Sequence, residues 1–322
     1  MFPADFGYAR ATSVPHALDL AAAAQAAGDE AKFLAGGQSL LPMMKLRLAV
    51  PQTLIDLAGI DDLKGVKDRT ADAGGGTLSA TFGALTTYRE LQRDAAVTAA
   101  VPALADALTV LADPQVRARG TVGGAVAHGD PAADLPPVLL ALNAQLTIVS
   151  SAGTRTASLD DFLRGIYTTD LAEDEIITAI SIRTSGARGS AYAKFPHPAS
   201  HLPLAGVAAV VTMQNDQIAR AEVAVTGISA RPYRARHTER TLASSAPAQT
   251  LLSAAAAQVA EDVTPLSDQH ASGPYRVHLA QVLARRAIGT AIKRARSGME
   301  PGGMEPGGTE PGGTEPRGTE QA

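Results

Sequence analysis

Residues 35–42 read Ala-Gly-Gly-Gln-Ser-Leu-Leu-Pro, and residues 120–125 read Gly-Thr-Val-Gly-Gly-Ala. Each stretch contains a glycine doublet, where the missing Cβ atoms let the backbone turn its N–H groups toward an approaching anion. A single Gly-Gly pair is an ordinary turn signal. Two of them, each in a long and distinctive frame, predict a pair of loops that hold the two phosphates of a dinucleotide.

The residues around the first doublet predict a strand, a glycine turn, a short helix and a second strand. The strands are assigned to residues 32–34 and 53–57, and Ser39 is placed to cap the helix between them. An earlier helix is predicted over residues 17–27, with Gly28 as its stop. Such a unit brings loop amides and a helix N-terminus to one point, which suits a phosphate.

The rest of the chain continues to mix helices with strands, so the predicted fold class is α+β. Helices are predicted over residues 98–111, 135–142, 249–263 and 275–296, and strands over residues 144–150, 175–182, 207–213 and 221–226. Residues 297–322 differ in kind, because from Met299 onward they repeat Met/Thr-Glu-Pro-Gly-Gly with one Gly replaced by Arg. Proline and glycine at this density cannot offset the entropy of ordering, so we expect a disordered acidic tail.

Composition and charge exclude several classes of protein. The chain has 322 residues, 45% of them hydrophobic, a net charge of −4 and no cysteine. The charge gives no basic footprint for nucleic acid, and no apolar run is long enough to span a bilayer. Without cysteine the chain holds no disulfide, no thiol nucleophile and no cysteine-ligated iron–sulfur cluster. The N-terminal residues show no signal-peptide pattern, so a cytoplasmic location is expected.

Motifs of competing nucleotide-binding and metal-binding classes are absent or weak. No Gly-x-Gly-x-x-Gly opens a helix and no Gly-x-x-x-x-Gly-Lys-Ser/Thr occurs, so neither a Rossmann site nor a nucleotide triphosphatase is supported. The glycine run at residues 72–77 is assigned to a hairpin turn. His197 and His201 are four residues apart, but the prolines around them prevent a regular helix, so a loop is expected there rather than a metal site.

Two longer frames resemble those of a known family. The first extends from the doublet Gly36-Gly37 through Arg47-Leu48 to residues 51–56, which read Pro-Gln-Thr-Leu-Ile-Asp. The second covers residues 113–125, Asp-Pro-Gln-Val-Arg-Ala-Arg-Gly-Thr-Val-Gly-Gly-Ala, and is followed by Asp-Pro-x-x-Asp at residues 130–134. Both frames, in this order, are similar to those of the FAD-binding subunit of molybdenum-containing hydroxylases, the group that includes the medium subunit of aerobic carbon monoxide dehydrogenase.

This resemblance implies a fold and a cofactor. The expected fold is the two-subdomain FAD-binding fold of the p-cresol methylhydroxylase/vanillyl-alcohol oxidase type over residues 1–180, with subdomains over about 1–57 and 58–180. A small α+β C-terminal domain of the carbon monoxide dehydrogenase flavoprotein type is expected over residues 187–296. FAD would be bound non-covalently, so a histidyl link at His128 is not expected.

The resemblance also implies which residues hold the cofactor, and it implies no catalytic and no metal-ligating residue. The matching FAD-binding positions are Lys32, Leu34, Ala35, Gly36, Gly37, Gln38, Ser39, Leu40, Leu111, Thr121, Gly123, Gly124, Ala125, Asp134, Ile177 and Lys194. Many relatives carry asparagine where Ala125 stands, so a side-chain hydrogen bond is lost there.

Some of these residues have a second interpretation. Asp134 could be the N-cap of the next helix as well as a ligand of an FAD hydroxyl. Lys194 could be a solvated strand residue or could lie beside the flavin ring. Arg117 and Arg119 are either surface charges or partners of carboxylates near the second loop.

The implied function is that of the flavoprotein subunit of a three-subunit molybdenum hydroxylase. A large partner would hold the molybdenum cofactor, a small partner would carry two [2Fe–2S] clusters, and the complex would form a dimer of heterotrimers. This chain would take electrons onto FAD and pass them to an external acceptor. Two alternatives stay open: a free-standing FAD-dependent reductase or oxidase of the same superfamily, and a flavin-free scaffold that keeps only the fold.

Overall fold

The computed structural model describes residues 2–71, 78–184 and 188–297. The hairpin turn predicted at residues 72–77 and the tail predicted beyond residue 297 lie outside this part of the chain. The described residues form three larger sheets and one two-stranded sheet, with three hydrophobic core clusters. Within them, no helix combines the length and apolar character needed to cross a membrane.

The first sheet is parallel, with the strand order β1-β3-β2. Its strands are β1 (Gly7–Arg10), β2 (Ala31–Leu34) and β3 (Thr53–Asp56), joined by helices α1 (Val14–Ala26) and α2 (Leu40–Lys45). The side chain of Ser13 accepts from the amide of His16 and caps α1, and Gly28 follows its end at φ 85°. The predicted strand–loop–helix–strand unit around the first doublet is therefore confirmed.

The second sheet is antiparallel throughout, with the order β4-β5-β10-β6-β7. Its strands are β4 (Val66–Ala71), β5 (Leu78–Gly83), β6 (Gln145–Ser150), β7 (Gly153–Ser158) and β10 (Ile176–Thr184). A two-stranded hairpin, β8 (Leu163–Gly165) and β9 (Thr168–Thr169), precedes β10.

Helices fill the space between β5 and β6 and follow β7: α3 (Tyr88–Arg93), α4 (Ala95–Ala100), α5 (Pro102–Val110), α6 (Pro114–Arg119), α7 (Val122–His128), α8 (Leu135–Ala141) and α9 (Leu159–Phe162). The single helix predicted over residues 98–111 is wrong, because the chain breaks at Val101, which has φ −132° and ψ 75°. Pro102 explains the break: it has no N–H to donate, and its ring disfavours a helical conformation at the preceding residue.

The third sheet has the order β11-β12-β13-β14 and is antiparallel. Its strands are β11 (Arg188–Pro196), β12 (Pro203–Gln214), β13 (Gln217–Thr226) and β14 (Tyr233–Arg234), followed by α10 (Arg236–Leu242), α11 (Gln249–Ala257) and α12 (Gly273–Ser297). The helix predicted over residues 249–263 is thus too long at its end. A turn at Asn215 and Asp216, both at positive φ, joins β12 to β13.

Both faces of the third sheet are buried. Ala208 and Val210 belong to the core cluster of the second sheet and its helices, whereas Val207 and Ala209 belong to the cluster that α12 completes. Successive side chains of a strand point to opposite faces, so a continuous apolar strand fits a sheet covered on both sides. The region predicted as a separate domain therefore packs onto the preceding helices through a shared core.

Candidate functional site

A cleft of about 430 Å³ lies between the first and second sheets, and both glycine loops line it. Twelve of the sixteen residues predicted to hold a cofactor are brought together in its lining: Lys32, Ala35, Gly36, Gly37, Gln38, Ser39, Leu40, Thr121, Gly123, Gly124, Ala125 and Ile177. These residues come from stretches far apart in the sequence, so the tertiary fold assembles the cleft.

The two glycine loops pack on each other and on the second sheet. A Cβ atom added at Gly36 would overlap the backbone carbonyl of Arg119, at the end of α6. One added at Gly123 would lie 2.5 Å from the Cβ atom of Ala84 and 2.8 Å from its carbonyl oxygen. Both glycines are therefore required by contacts within the protein, before any ligand is considered.

The first loop leaves a run of amides without partners. Among the residues that the structure describes, the N–H groups of residues 36–40 donate to no acceptor in the chain. Gly37 has φ 74°, a left-handed conformation that glycine adopts without strain. Ser39 takes the N-cap position of α2, but its side chain makes no capping hydrogen bond, contrary to the sequence prediction. The loop thus offers amides and a hydroxyl to an outside acceptor.

The amides of the second loop donate to acceptors within the protein. The N–H groups of residues 122–125 donate, in order, to Thr86 O, Ala84 O, Thr121 Oγ1 and Thr121 O at 2.8 to 3.1 Å. This differs from the expectation that amides of both doublets are free to face a pyrophosphate. The Thr121 hydroxyl accepts from Gly124, and its own proton stays available for an acceptor in the cleft.

Four predicted residues lie outside the cleft lining: Leu34, Leu111, Asp134 and Lys194. Leu34 packs beneath the first loop, 3.3 Å from where a Cβ of Gly37 would stand. Leu111 is buried in the core, and its carbonyl accepts from Arg117 at 2.8 Å. Arg117 also donates to Ala112 O, so it holds backbone carbonyls, and it pairs with no carboxylate among the residues that the structure describes.

Asp134 and Lys194 form a buried cluster with Tyr192. Lys194 Nζ lies 3.0 Å from Asp134 Oδ2, Tyr192 Oη donates to Asp134 Oδ1 at 2.7 Å, and the two charged side chains are only 4% and 3% exposed. Burial raises the pKa of Asp134 to about 6, against the opposing effect of the Lys194 charge and of both hydrogen bonds. Asp134 therefore makes no side-chain cap on α8, and Lys194 is not a solvated strand residue.

Aromatic rings border the cleft at positions that sequence reasoning did not select. Tyr88 and Tyr167 both line it, and the ring of Tyr167 lies 4.9 Å from that of His128. Tyr167 has φ 49°, and burial lowers the pKa of His128. Tyr167 falls in a Gly-Ile-Tyr-Thr-Thr segment that resembles the family, which is the one signal that could have identified it.

No group of three His, Asp or Glu side chains within residues 2–71, 78–184 and 188–297 is arranged to hold a metal ion. His197 and His201 lie in a loop between β11 and β12, where the His201 amide donates to the His197 carbonyl at 2.9 Å. The His197 ring packs edge-on against that of His270, with 4.4 Å between centroids.

Two protein families match consecutive parts of the chain. The FAD binding domain in molybdopterin dehydrogenase matches residues 4–184, and the CO dehydrogenase flavoprotein C-terminal domain matches residues 190–291. The chain is an FAD-binding medium subunit of the molybdenum hydroxylase family. It is therefore a subunit of an oxidoreductase with FAD as its cofactor, and the predicted fold class is confirmed.

Individual relatives agree with this assignment over nearly their whole length. The carbon monoxide dehydrogenase medium chain of Afipia carboxidovorans is 33% identical over 92% of this chain and 100% of that protein. The nicotine 6-hydroxylase medium subunit of Paenarthrobacter nicotinovorans is 37% identical over 87% of this chain and 95% of that protein. The structure of carbon monoxide dehydrogenase from Hydrogenophaga pseudoflava superposes with a TM-score of 0.85 at 34% identity, covering 91% of this chain and 99% of that one.

Proposed function

We propose that this medium subunit takes electrons from [2Fe–2S] clusters on a small partner subunit and passes them, through FAD, to an external acceptor. Relatives named as medium chains or subunits support an assembly with a large and a small partner. The absence of cysteine supports placing the clusters on another chain, since such clusters are held by cysteine thiolates. By family resemblance we extend the proposal to a large subunit that holds the molybdenum cofactor and to a dimer of heterotrimers. A cytoplasmic location stays a prediction.

The run of unpartnered amides at residues 36–40 carries this proposal. A peptide N–H that is taken out of water needs an acceptor, and the oxygens of a phosphate are strong acceptors. We therefore place the FAD pyrophosphate against this loop, with the Thr121 hydroxyl as a further donor from the opposite side. The family cofactor thus fits the residues present in the cleft. Bound FAD would supply the redox chemistry, whereas the protein binds it, orients it and excludes water.

The remaining predicted residues take two roles in this proposal. The other predicted residues that line the cleft, including Lys32, Leu40 and Ile177, contact FAD directly. Asp134 and Lys194 act from behind the lining as a neutralised ion pair that holds β11 against the start of α8. The Lys194 ammonium would therefore affect the flavin potential less than an unpaired cation would.

Flavin content and electron transfer from the partner test this function together. The purified chain should be yellow, with one FAD per chain released by denaturation without a covalent link. On rapid mixing with the reduced [2Fe–2S] subunit, the flavin absorbance should bleach, and an added acceptor should restore it. A colourless preparation would point to a scaffold. Rapid reduction by an organic substrate without any partner would point to a free-standing enzyme, and either result would overturn the proposal.

A further inference from the structure

A segment beside the cleft exposes an unusual number of apolar side chains. Residues 41–50, called here the 41–50 segment, comprise the end of α2 and the turn that follows it. Leu46, Leu48 and Val50 in this segment are 59%, 71% and 46% exposed. Scattered exposed apolar residues are normal, but several within one short stretch mark a surface where another molecule binds.

The backbone of this segment is held firmly, so these side chains are presented on a fixed support. The amide of Leu46 donates to Pro42 O at 3.0 Å, and the amide of Leu48 reaches back to Met43 O at 2.9 Å. Arg47 lies between them at φ 59°, a conformation that is uncommon for a residue other than glycine. Strain of this kind persists where the surrounding structure enforces it, and it concentrates at functional sites.

The inner side of the same segment forms part of the cleft wall. Met43 and Ala49 line the cleft, directly after the phosphate-binding loop proposed above. A protein seated on the outer side would therefore be separated from the cofactor cleft by one layer of residues. Of the partners in the proposed assembly, the one that must come close to the flavin is the subunit that delivers electrons.

The two charged residues of the segment itself, Lys45 and Arg47, are both positive. Residues 31–55 contain Lys32, Lys45 and Arg47 and no aspartate or glutamate. Lys45 and Arg47 are exposed, and neither forms an ion pair with any residue that the structure describes. An apolar centre with a charged rim is the usual anatomy of a protein interface, and unpaired cations select a partner with carboxylates at its rim.

The same charges argue against a second copy of this chain as the occupant. In a two-fold symmetric contact, each surface meets itself, so Lys45 and Arg47 would face the same cations of the other copy. Like charges brought together across an interface weaken the association, and more so when water is excluded.

We propose that the 41–50 segment is the docking surface for the [2Fe–2S] subunit, whose contacting face carries an apolar patch bordered by Asp or Glu side chains. This inference rests on the proposed function, because it names the partner that delivers electrons to the same cleft. Leu46 and Leu48 form the apolar centre of the contact, and Lys45 and Arg47 form its rim.

A charge introduced into the apolar centre tests the surface. The variant Leu46→Glu/Leu48→Glu, in the full FAD-loaded chain, should bind the co-purifying [2Fe–2S] subunit at least tenfold more weakly, with flavin content and melting temperature unchanged. Val110→Glu is the matched control, because Val110 is an apolar residue at the end of α5 that is 44% exposed and does not line the cleft. The control should bind the partner like the wild type.

A second variant tests the rim and covers the case in which the first one misfolds. Lys45→Glu/Arg47→Glu should also weaken binding, and the dependence of its Kd on salt concentration should be flatter than that of the wild type. Wild-type affinity in both variants would overturn the inference. So would loss of the large subunit alone, or a change only in self-association. If the wild-type flavin is not reduced by the [2Fe–2S] subunit at all, the proposed function fails; if it is reduced equally well in every variant, only the docking surface fails.

Discussion

The two glycine loops of the cleft share a sequence signature but do different physical work. The amides of residues 36–40 have no acceptor within the part of the chain that the structure describes. The amides of residues 122–125 donate to the Ala84 and Thr86 carbonyls, just after β5, and to Thr121, the N-cap of α7. In the first loop, Gly37 adopts a left-handed conformation next to the unbonded amides, which we assign to the cofactor. In the second loop, and at Gly36, glycine serves close packing within the protein. A glycine doublet in the sequence therefore does not indicate whether it serves ligand binding or close packing within the protein.

Gly36→Ala should have the largest effect, because it attacks the contact between the two loops. The new Cβ atom would overlap the Arg119 carbonyl, which belongs to backbone and cannot rotate away. We expect a loss of about 3 kcal/mol or more in the free energy of unfolding, together with loss of bound FAD. Chemical denaturation and flavin absorbance measure both. Gly165→Ala is the control, since its Cβ would find no protein atom closer than 3.9 Å; equal behaviour of the two variants would contradict the close packing.

Gly123→Ala should have the second-largest effect, and it should lower the stability of the protein more than its FAD binding. Its Cβ would meet Ala84 at 2.5 Å, so β5 or α7 must shift, at a cost of about 2 kcal/mol. The folded fraction should still bind FAD, because the amide of Gly123 already donates to Ala84 O and serves no ligand. Denaturation curves recorded with and without added FAD measure both the stability and the retained FAD binding. A variant of wild-type stability that has lost FAD would reverse our assignment of tasks to the two loops.

Gly37→Ala should lower the FAD affinity more than it lowers the stability of the protein. The position has φ 74°, so a side chain costs about 1 kcal/mol of backbone strain, and its nearest neighbour is the flexible side chain of Leu41. The unbonded amides follow this residue, so a changed backbone conformation here would turn them away from the cofactor. We therefore expect FAD affinity to fall about tenfold while the protein stays folded. Equilibrium titration of the apoprotein with FAD tests this. Undiminished affinity would show that the first loop does not hold the phosphates.

Thr121→Val should have the smallest effect and probes the cap of α7. The substitution keeps the shape of the side chain but removes the oxygen that accepts from Gly124, which costs about 1 kcal/mol of stability. It also removes the one second-loop hydroxyl that we assign to the cofactor, so FAD affinity should fall slightly. Thr121→Ser should restore both quantities. Failure of serine to restore them would mean that the methyl group, and not the hydroxyl, is what matters.

Local signals predicted much of the fold, and the family resemblance predicted part of the cleft lining. The capping serine and terminal glycine of α1 depend on neighbours in sequence, and so does the strand–loop–helix–strand unit. Where a local signal was overlooked, as at Pro102, the helix prediction failed for a reason that the sequence already contained. The resemblance of the two frames then predicted twelve residues that the fold does assemble in one cleft.

By itself, the sequence determined the strand–loop–helix–strand unit around the first doublet, the two loops and the family, because these depend on residues close together in the chain. Only the tertiary structure decided that amides of the second loop donate to the Ala84 and Thr86 carbonyls, that Asp134 pairs with Lys194, and that both faces of the third sheet are buried. Each of these is a contact between residues distant in sequence. A hydrogen-bond donor, a charge or an apolar face acquires its role only when the fold supplies its partner, and no local pattern names that partner.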